Sequence, residues 1–162
     1  YKRQLLDPIL AIKQEYHQLT LPVILTKYGL PDTDEALLMK KWWGGYLSQK
    51  DPLAAIHPLV LTQEEAIVIE KSTYDSFYET NLDEVLQQLS VTQLVIVGLV
   101  THLCCESTAR SAFQRGYVVY LPIDCQASYT EAMHLGSLRA ASHGFGIPTT
   151  SMKLLECLRN DR

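Results

Sequence analysis

The chain has 162 residues, of which 47% are hydrophobic and 20% charged, and its net charge is −4. This length and composition predict a single globular domain over residues 1–162, large enough to bury a core. The mild acidic balance, without a cluster of Lys and Arg, gives no reason to expect a nucleic-acid partner. No apolar run approaches the roughly 18 residues that a membrane span needs.

The chain opens with a pattern that predicts an amphipathic helix. Apolar side chains recur at near-helical spacing over residues 3–18, and Pro8 is tolerable only near the start of such a helix. The β-branched run at 22–26 then predicts a short strand.

Residues 28–63 form an irregular segment with several Gly and Pro residues and with Trp42 and Trp43 in its middle. A stretch of this length without strong periodicity is typical of a lid or binding region. A short helix is expected at 34–41.

Three nearly continuous apolar runs predict further strands, at 66–69, 94–98 and 117–121. Helical patterns accompany them at 81–89, 103–115, 129–143 and 152–159, with a weak strand at 147–150. Alternation of strands and helices predicts a three-layer α/β/α domain with a mostly parallel, Rossmann-like sheet.

Capping signals mark three of these helix ends. Asn81 with Glu84, and Ser128 with Glu131, have the spacing of helix starts, and Gly116 is a helix stop.

The four cysteines are Cys104, Cys105, Cys125 and Cys157. They form no C-x-x-C pair and are followed by no His pair at zinc spacing, so we expect no metal site. This is not a short secreted scaffold, and we therefore expect free thiols and a cytoplasmic protein.

Reactive side chains follow three of the predicted strands: Lys71, Cys104 and Asp124. In a parallel sheet, ligands bind beyond the carboxyl ends of the strands, so these residues are expected to meet at one edge.

Cys104 has two interpretations. A thiol at a helix start beside the Lys71 ammonium would be activated as a thiolate, and the free amides there could hold an oxyanion. Most free cysteines are instead small buried hydrophobes, and the spacing alone leaves both interpretations open. Cys105 points about 100° away around a helix and is assigned to the core.

Two segments resemble the isochorismatase-like cysteine hydrolases. Residues 71–82, KSTYDSFYETNL, resemble the family block that carries the catalytic lysine, and residues 98–109, GLVTHLCCESTA, resemble the block that carries the nucleophile. The shorter matches at 116–119 and 124–127 agree, and the resemblance covers nearly the whole chain.

This resemblance implies that Cys104 is the nucleophile and Lys71 its catalytic partner. It also implies a cis peptide bond between Leu99 and Val100, with the backbone amides of Val100 and Cys104 forming the oxyanion hole. No cofactor is implied, and a homo-oligomer is expected because family members commonly form one.

Two branches of the family suggest different chemistry. True isochorismatases cleave a vinyl ether and usually carry Gly in place of the nucleophile, yet His102 here matches a His of those enzymes. The Cys at 104 favours hydrolysis of an amide, ureido or related C–N bond through a thioester. The nicotinamidase branch binds a metal through Asp-x-His, but residues 27–32 read KYGLPD, without His.

Four residues are candidates for contact with a small-molecule substrate: His102, Tyr74, Trp42 and Trp43. His102 could equally cap or fill a gap beside the helix. The two tryptophans suit either a lid over the pocket or a subunit interface.

The resemblance also implies an aspartate on a central first strand, acting as general base on the thiol. Tyr1 already stands at the start of the first helix, and Asp7 within that helix is a poor substitute. We therefore expect the 162 residues to lack the first strand of a longer protein, and a chain that truly starts at Tyr1 to have weak activity.

Three functions follow as hypotheses. The first is a cysteine hydrolase of the amidohydrolase type, acting on a small amide-like or ureido substrate. The second is a vinyl ether hydrolase of the isochorismate type. The third is a catalytically impaired relative that serves as a binding or assembly module.

Overall fold

The structure is a computed structural model that describes residues 2–32, 37–61 and 67–160. Within these ranges the α-helices are Lys2–Gln18 (α1), Leu37–Trp43 (α2), Leu82–Gln88 (α3), Glu106–Gln114 (α4), Glu131–Gly144 (α5) and Ser151–Asn160 (α6). The strands are Leu25–Tyr28 (β1), Val68–Lys71 (β2), Gln93–Val95 (β3), Gly98–Leu99 (β4), Val118–Pro122 (β5), Gln126–Ala127 (β6) and Ile147–Thr149 (β7).

All ladders between these strands are parallel. β1 pairs with β2, β5 lies between β3 and β7, and β4 pairs with β6. Parallel neighbours require crossover connections, which the intervening helices provide. The predicted α/β fold with a mostly parallel sheet is confirmed.

Helices cover the sheet on both faces. On one face, side chains of α3, α4 and α5, including Leu86, Ala109 and Leu138, pack with Val119 of β5. On the other face, α1 and α6 pack through Ile12 and Leu154 against Cys125. The strands are therefore apolar on both sides, which explains their continuous hydrophobic runs.

Several element boundaries differ from the predicted ones. The first strand lies at Leu25–Tyr28 rather than at 22–26, because its position is set by the register that pairs Leu25 with Val68. α1 continues past Pro8 into the buried turn that carries Ile12. Positions 34–36 of the expected short helix and residue 66 of the expected strand lie outside the described residues.

The side chains predicted to cap α5 and α3 do not form the expected capping hydrogen bonds. The cap of α5 is Thr130, whose hydroxyl accepts from the Met133 amide at 3.2 Å, and not Ser128. α3 begins after Asn81 as predicted, but the Asn81 side chain makes no capping hydrogen bond. Gly116 follows α4 with a φ of 91°, the left-handed conformation that suits a helix stop.

The sheet is interrupted between β1 and β3. These strands do not pair with each other in the described ranges, and a groove of about 510 Å³ separates them. This is the place where a central strand would lie in a continuous sheet. None of the described helices has the length and apolarity that crossing a bilayer requires.

Candidate active site

Lys71 ends β2, and only 4% of its surface is exposed. Its Nζ donates to the backbone carbonyls of Tyr74, at 2.5 Å, and Thr73, at 3.2 Å. Within the described ranges no carboxylate oxygen lies within the 4.0 Å ion-pair distance of this ammonium. A buried ammonium held by neutral carbonyls favours an anion or a thiolate nearby.

Cys104 lies in a π-helical turn, Thr101–Cys105, which follows β4 and runs directly into α4. The predicted helix start at 103 is therefore two residues late. In this turn the amides of Leu103 and Cys105 both donate to the Val100 carbonyl, at 3.2 and 3.3 Å. The half-buried Cys104 side chain lines the groove beside β1.

The peptide bond between Leu99 and Val100 is cis, the geometry that the family resemblance implies. Val100 immediately precedes the π-helical turn. The two amides predicted to form an oxyanion hole, those of Val100 and Cys104, thus belong to one short segment at the entrance to α4.

Tyr28 belongs to this site but was not among the predicted site residues. It ends β1, is paired in register with Lys71, and its ring centroid lies 6.0 Å from the lysine Nζ. Burial raises the pKa of Tyr28, and the nearby charges of Tyr74 and Cys104 raise it further. Its position at the carboxyl end of a strand was the available signal, but the predicted strand ended two residues earlier.

One of the two tryptophans reaches the site. Trp43 ends α2, and its Nε1 donates to the Tyr74 hydroxyl at 2.8 Å. The neighbouring Trp42 is 75% exposed, whereas Trp43 is 47% exposed. The structure therefore brings Trp43 and Tyr74 together with Lys71 and leaves Trp42 facing solvent.

The adjacent thiol of Cys105 has a different environment from that of Cys104. Cys105 is buried, and burial raises its pKa to about 12, with the negative charge of Cys104 as a second cause. Burial likewise raises the pKa of Cys125 to about 12. Both thiols stay protonated at neutral pH, as expected for core cysteines.

His102 lies in the same turn as Cys104 and contacts the segment that precedes α5. Its Nδ1 is 2.5 Å from the Ser128 hydroxyl, and its ring packs edge-on against Tyr129, with centroids 5.7 Å apart. A second histidine contact, between His134 Nδ1 and the Thr101 hydroxyl at 2.7 Å, ties α5 to the turn. His102 is thus held by a hydroxyl and an exposed aromatic ring.

The buried hydroxyls of Ser76 and Thr108 stabilise the segment that follows Lys71. The Ser76 amide donates to the Thr108 hydroxyl at 3.1 Å, and the two hydroxyls are also 3.1 Å apart. Thr108 lies on α4, so these bonds join the segment after Lys71 to the helix after Cys104.

Asp124 does not share in this site. Its carboxylate accepts from the Ser151 amide at 2.8 Å and from the Ser151 hydroxyl. A carboxylate at the first residue of α6 stabilises the helix start. The expectation that Asp124 meets Lys71 and Cys104 is replaced by this structural role.

The described residues hold no group of three or more His, Cys, Asp or Glu side chains arranged for a metal ion. The chemistry that these residues can supply is that of a thiol, an ammonium and backbone amides.

A thiol in the turn after one strand and a buried ammonium at the end of another define an α/β protein with a candidate hydrolytic site. The chain belongs to the isochorismatase family: its residues 2–153 match the isochorismatase domain model. This family consists of hydrolases.

Individual relatives are distant. The chain is 27% identical to nicotinamidase 3 of Arabidopsis thaliana, over 96% of this chain and 80% of that protein. It is also 27% identical to the isochorismatase of Bacillus subtilis, over 94% of this chain but 49% of that protein, so it spans about half of that relative. A solved cysteine hydrolase from Pseudomonas syringae pv. phaseolicola shares the fold, with a TM-score of 0.91 at 22% identity, over 99% of this chain and 82% of that one.

Proposed function

We propose that this protein is a cysteine hydrolase that cleaves a C–N bond of a small amide-like or ureido substrate. The observation that carries the proposal is the placement of the half-buried Cys104 thiol in a turn close to Tyr28, whose register partner is the buried Lys71. The name of the nicotinamidase relative, an amide hydrolase, agrees with it. No cofactor enters the reaction.

The first half of the reaction forms a thioester. The Cys104 thiolate attacks the substrate carbonyl, so that a C–S bond forms and the carbonyl electrons move onto oxygen. The amides of Val100 and Cys104 hold this oxyanion. The intermediate collapses, the C–N bond breaks, and the amine leaves with the proton that the thiol gave up.

In the second half, water attacks the thioester. The C–S bond breaks, the thiolate is released, and the product leaves as a carboxylic or carbamic acid. Lys71 stabilises the thiolate that attacks the substrate and the thiolate that the hydrolysis of the thioester releases. The resemblance assigns the proton transfers to an aspartate on the first strand of the family fold.

We place the substrate between the turn of Cys104 and the aromatic pair of Trp43 and Tyr74. Two aromatic rings joined by a hydrogen bond make a stiff wall, which suits a flat, small substrate. His102 lies two residues before the nucleophile and can contact the far end of the substrate.

A vinyl ether hydrolase of the isochorismate type is the second candidate. It is favoured by His102 and by the similarity to the Bacillus subtilis isochorismatase. In that reaction the carboxylic acid of the aspartate that the resemblance implies would protonate the substrate, and the thiol would not be needed. A binding or assembly module without turnover is the third candidate.

We also propose that the protein assembles as a homo-oligomer in a reducing compartment such as the cytoplasm. The exposed apolar side chains of the irregular region support the homo-oligomer, since Leu38 and Trp42 are about three-quarters exposed. The four free cysteines support the reducing compartment.

The test compares Cys104→Ala with the wild-type chain on a panel of small amides, ureido compounds and isochorismate, with Cys157→Ala as the matched control at an exposed thiol. We expect amide or ureido hydrolysis to fall at least 1,000-fold in Cys104→Ala and to persist in Cys157→Ala. Isochorismate cleavage that survives in Cys104→Ala would instead select the vinyl ether reaction. Substrate binding without turnover in the wild-type chain would select the binding module.

A further inference from the structure

Two side chains of α5 contact the first residue of the π-helical turn. The His134 ring nitrogen Nδ1 lies 2.7 Å from the Thr101 hydroxyl, and the Ser137 hydroxyl donates to the Thr101 carbonyl at 3.4 Å. Positions 134 and 137 are three residues apart, so they lie on the same face of the helix. Thr101 is therefore held by α5 through both its side chain and its backbone.

Thr101 is buried, so its hydroxyl cannot replace the contact with α5 by a contact with water. Only 1% of the residue is exposed, and within the described ranges His134 Nδ1 is the one hydrogen-bond partner of this hydroxyl. A buried polar group is stable only where its partner stands. The bond therefore fixes the position of Thr101 relative to α5.

The wide turn around Cys104 begins at Thr101. The Glu106 amide donates to the Thr101 carbonyl, and the Cys105 amide donates to the carbonyl of Val100. Both hydrogen bonds span five residues, the spacing of a π-helix, which occurs mostly as single turns and frequently at functional sites. Cys104 lies between the two ends of each bond, so its position depends on that of Thr101.

The helix α5 is a firm base for this contact. Its residues Leu138 and Ala141 are buried in the core, and the His134 amide donates to the Thr130 carbonyl at 3.1 Å. The two bonds to Thr101 differ in strength, because 2.7 Å is a short hydrogen-bond distance and 3.4 Å is a long one. The histidine therefore makes the stronger of the two connections.

We propose that His134 is a positioning residue of the cysteine site: its bond to the Thr101 hydroxyl holds the π-helical turn in the conformation that presents the Cys104 thiol. This inference rests on the proposed function of Cys104 and adds a residue that acts through Thr101 rather than on the substrate. Since a displacement of about 1 Å at a reacting group can lower a rate about 100-fold, loss of the bond should be measurable in the chemistry of the thiol.

The test measures the reactivity of the Cys104 thiol, which requires no substrate. The chain is alkylated with iodoacetamide near neutral pH, and the rates at Cys104 and at the exposed Cys157 are compared by peptide mass spectrometry. His134→Leu fills the space without a polar atom, whereas His134→Asn keeps an amide group close to the position of Nδ1. We expect the ratio of the Cys104 rate to the Cys157 rate to fall about 10-fold in His134→Leu and less than about 3-fold in His134→Asn.

His143→Leu is the matched control, because His143 lies exposed in the last turn of the same helix. We expect this variant to keep the wild-type rate ratio. With a substrate that the chain turns over, His134→Leu should lower kcat about 10-fold and change KM less than about 2-fold. Rescue by asparagine and a change confined to kcat are not expected of a histidine that only stabilises the fold.

Variants at Thr101 test the same bond from its other side and decide the proposal if a histidine variant does not fold. Thr101→Val removes the hydroxyl and keeps the shape of the side chain, whereas Thr101→Ser keeps the hydroxyl. We expect the rate ratio to fall about 10-fold in the first variant and less than about 3-fold in the second. In the double variant Thr101→Val/His134→Leu the fall should equal that of either single variant, because all three lose the same bond.

An unchanged rate ratio in His134→Leu and Thr101→Val would overturn the inference. Equal losses in the polar and apolar variants of each position, with the fold retained in circular dichroism, would also overturn it, as would losses that multiply in the double variant. A wild-type chain in which Cys104 reacts no faster than Cys157 would contradict the proposed function itself. A Cys104 thiol that stays fast in His134→Leu would contradict only the role of His134.

Discussion

Trp43 and Tyr74 are joined by a hydrogen bond of 2.8 Å from the indole Nε1 to the phenol oxygen, and the carbonyl of the same tyrosine accepts from the Lys71 ammonium. Tyr74 thus connects the irregular region to Lys71. This hydrogen bond links α2, which is far from Lys71 in sequence, to the segment that follows the lysine.

Breaking this contact should affect substrate binding more than the chemical step. Trp43→Phe keeps an aromatic ring but removes the donor to Tyr74, and a hydrogen bond of this kind contributes about 1 kcal/mol. We expect KM to rise about 5-fold with kcat changed less than 2-fold. Trp42→Phe, at the exposed neighbouring position, serves as the control. Equal effects of the two variants in steady-state kinetics would argue against Trp43 as a pocket wall.

Removing the charge of Lys71 should abolish turnover. Lys71→Met keeps the length of the side chain but removes the ammonium that the proposed mechanism uses to stabilise the attacking thiolate, so we expect kcat/KM to fall at least 100-fold. Lys27→Met is the matched control, since Lys27 lies on the adjacent strand and pairs with Glu70 at 2.9 Å. Circular dichroism should show the fold retained in both variants. Near wild-type turnover in Lys71→Met would remove the lysine from the mechanism.

The buried hydroxyl pair should contribute to stability. Thr108→Val keeps the shape of the side chain but leaves the Ser76 amide and hydroxyl without their partner, and an unsatisfied buried group costs about 1–3 kcal/mol. We expect the free energy of unfolding in urea to fall by about 2 kcal/mol. Thr92→Val, at an exposed position, should change it by less than about 0.5 kcal/mol. A smaller loss at 108 than at 92 would contradict the role of this pair.

Alkaline pH should destabilise the fold through its core thiols. The pKa of Cys105 is raised from an ordinary 9.0 to about 12 by burial, so below pH 9 the thiol is protonated in both the folded and the unfolded chain. Between pH 9 and about 12 only the unfolded chain releases the proton, and stability falls by about 1.4 kcal/mol per pH unit for each such thiol.

Cys105→Ala removes this contribution. We expect the variant to lose about 1.4 kcal/mol less stability than the wild-type chain between pH 8 and pH 10, in urea unfolding at both pH values. Cys157→Ala changes an exposed thiol and should follow the wild-type curve. Parallel curves for all three proteins would mean that the Cys105 thiol ionises in the folded state.

Most helices and strands could be predicted from the sequence, because amphipathic periodicity marks the helices and continuous apolar runs mark the buried strands. The apolar run that became β5 and the amphipathic pattern that became α1 are decided by local spacing. The boundaries of helices and strands were less predictable where tertiary contacts determine them. The spacing of Ser128 and Glu131 predicted that the Ser128 hydroxyl caps α5. This hydroxyl instead forms a hydrogen bond with His102 Nδ1, and the Thr130 hydroxyl caps the helix.

The site was predictable only in part. Lys71 and Cys104 follow strands, which sequence can indicate, and the family resemblance implies their roles. The π-helical turn around Cys104 and the contact of Trp43 with Tyr74 depend on long-range packing that has no local signal. Tyr28 was missed because pairing with β2 extends its strand beyond the β-branched run.

The most direct test of the proposed mechanism is to look for the thioester on Cys104. A slowly hydrolysed amide or ureido substrate is mixed with the chain, quenched in acid within milliseconds to seconds, and the intact protein and its peptides are weighed by mass spectrometry. The mechanism predicts a mass increase equal to the acyl group, located on the peptide with Cys104, absent in Cys104→Ala and removed by hydroxylamine. Turnover of the same substrate with no acyl adduct at any quench time, and undiminished turnover in Cys104→Ala, would contradict it.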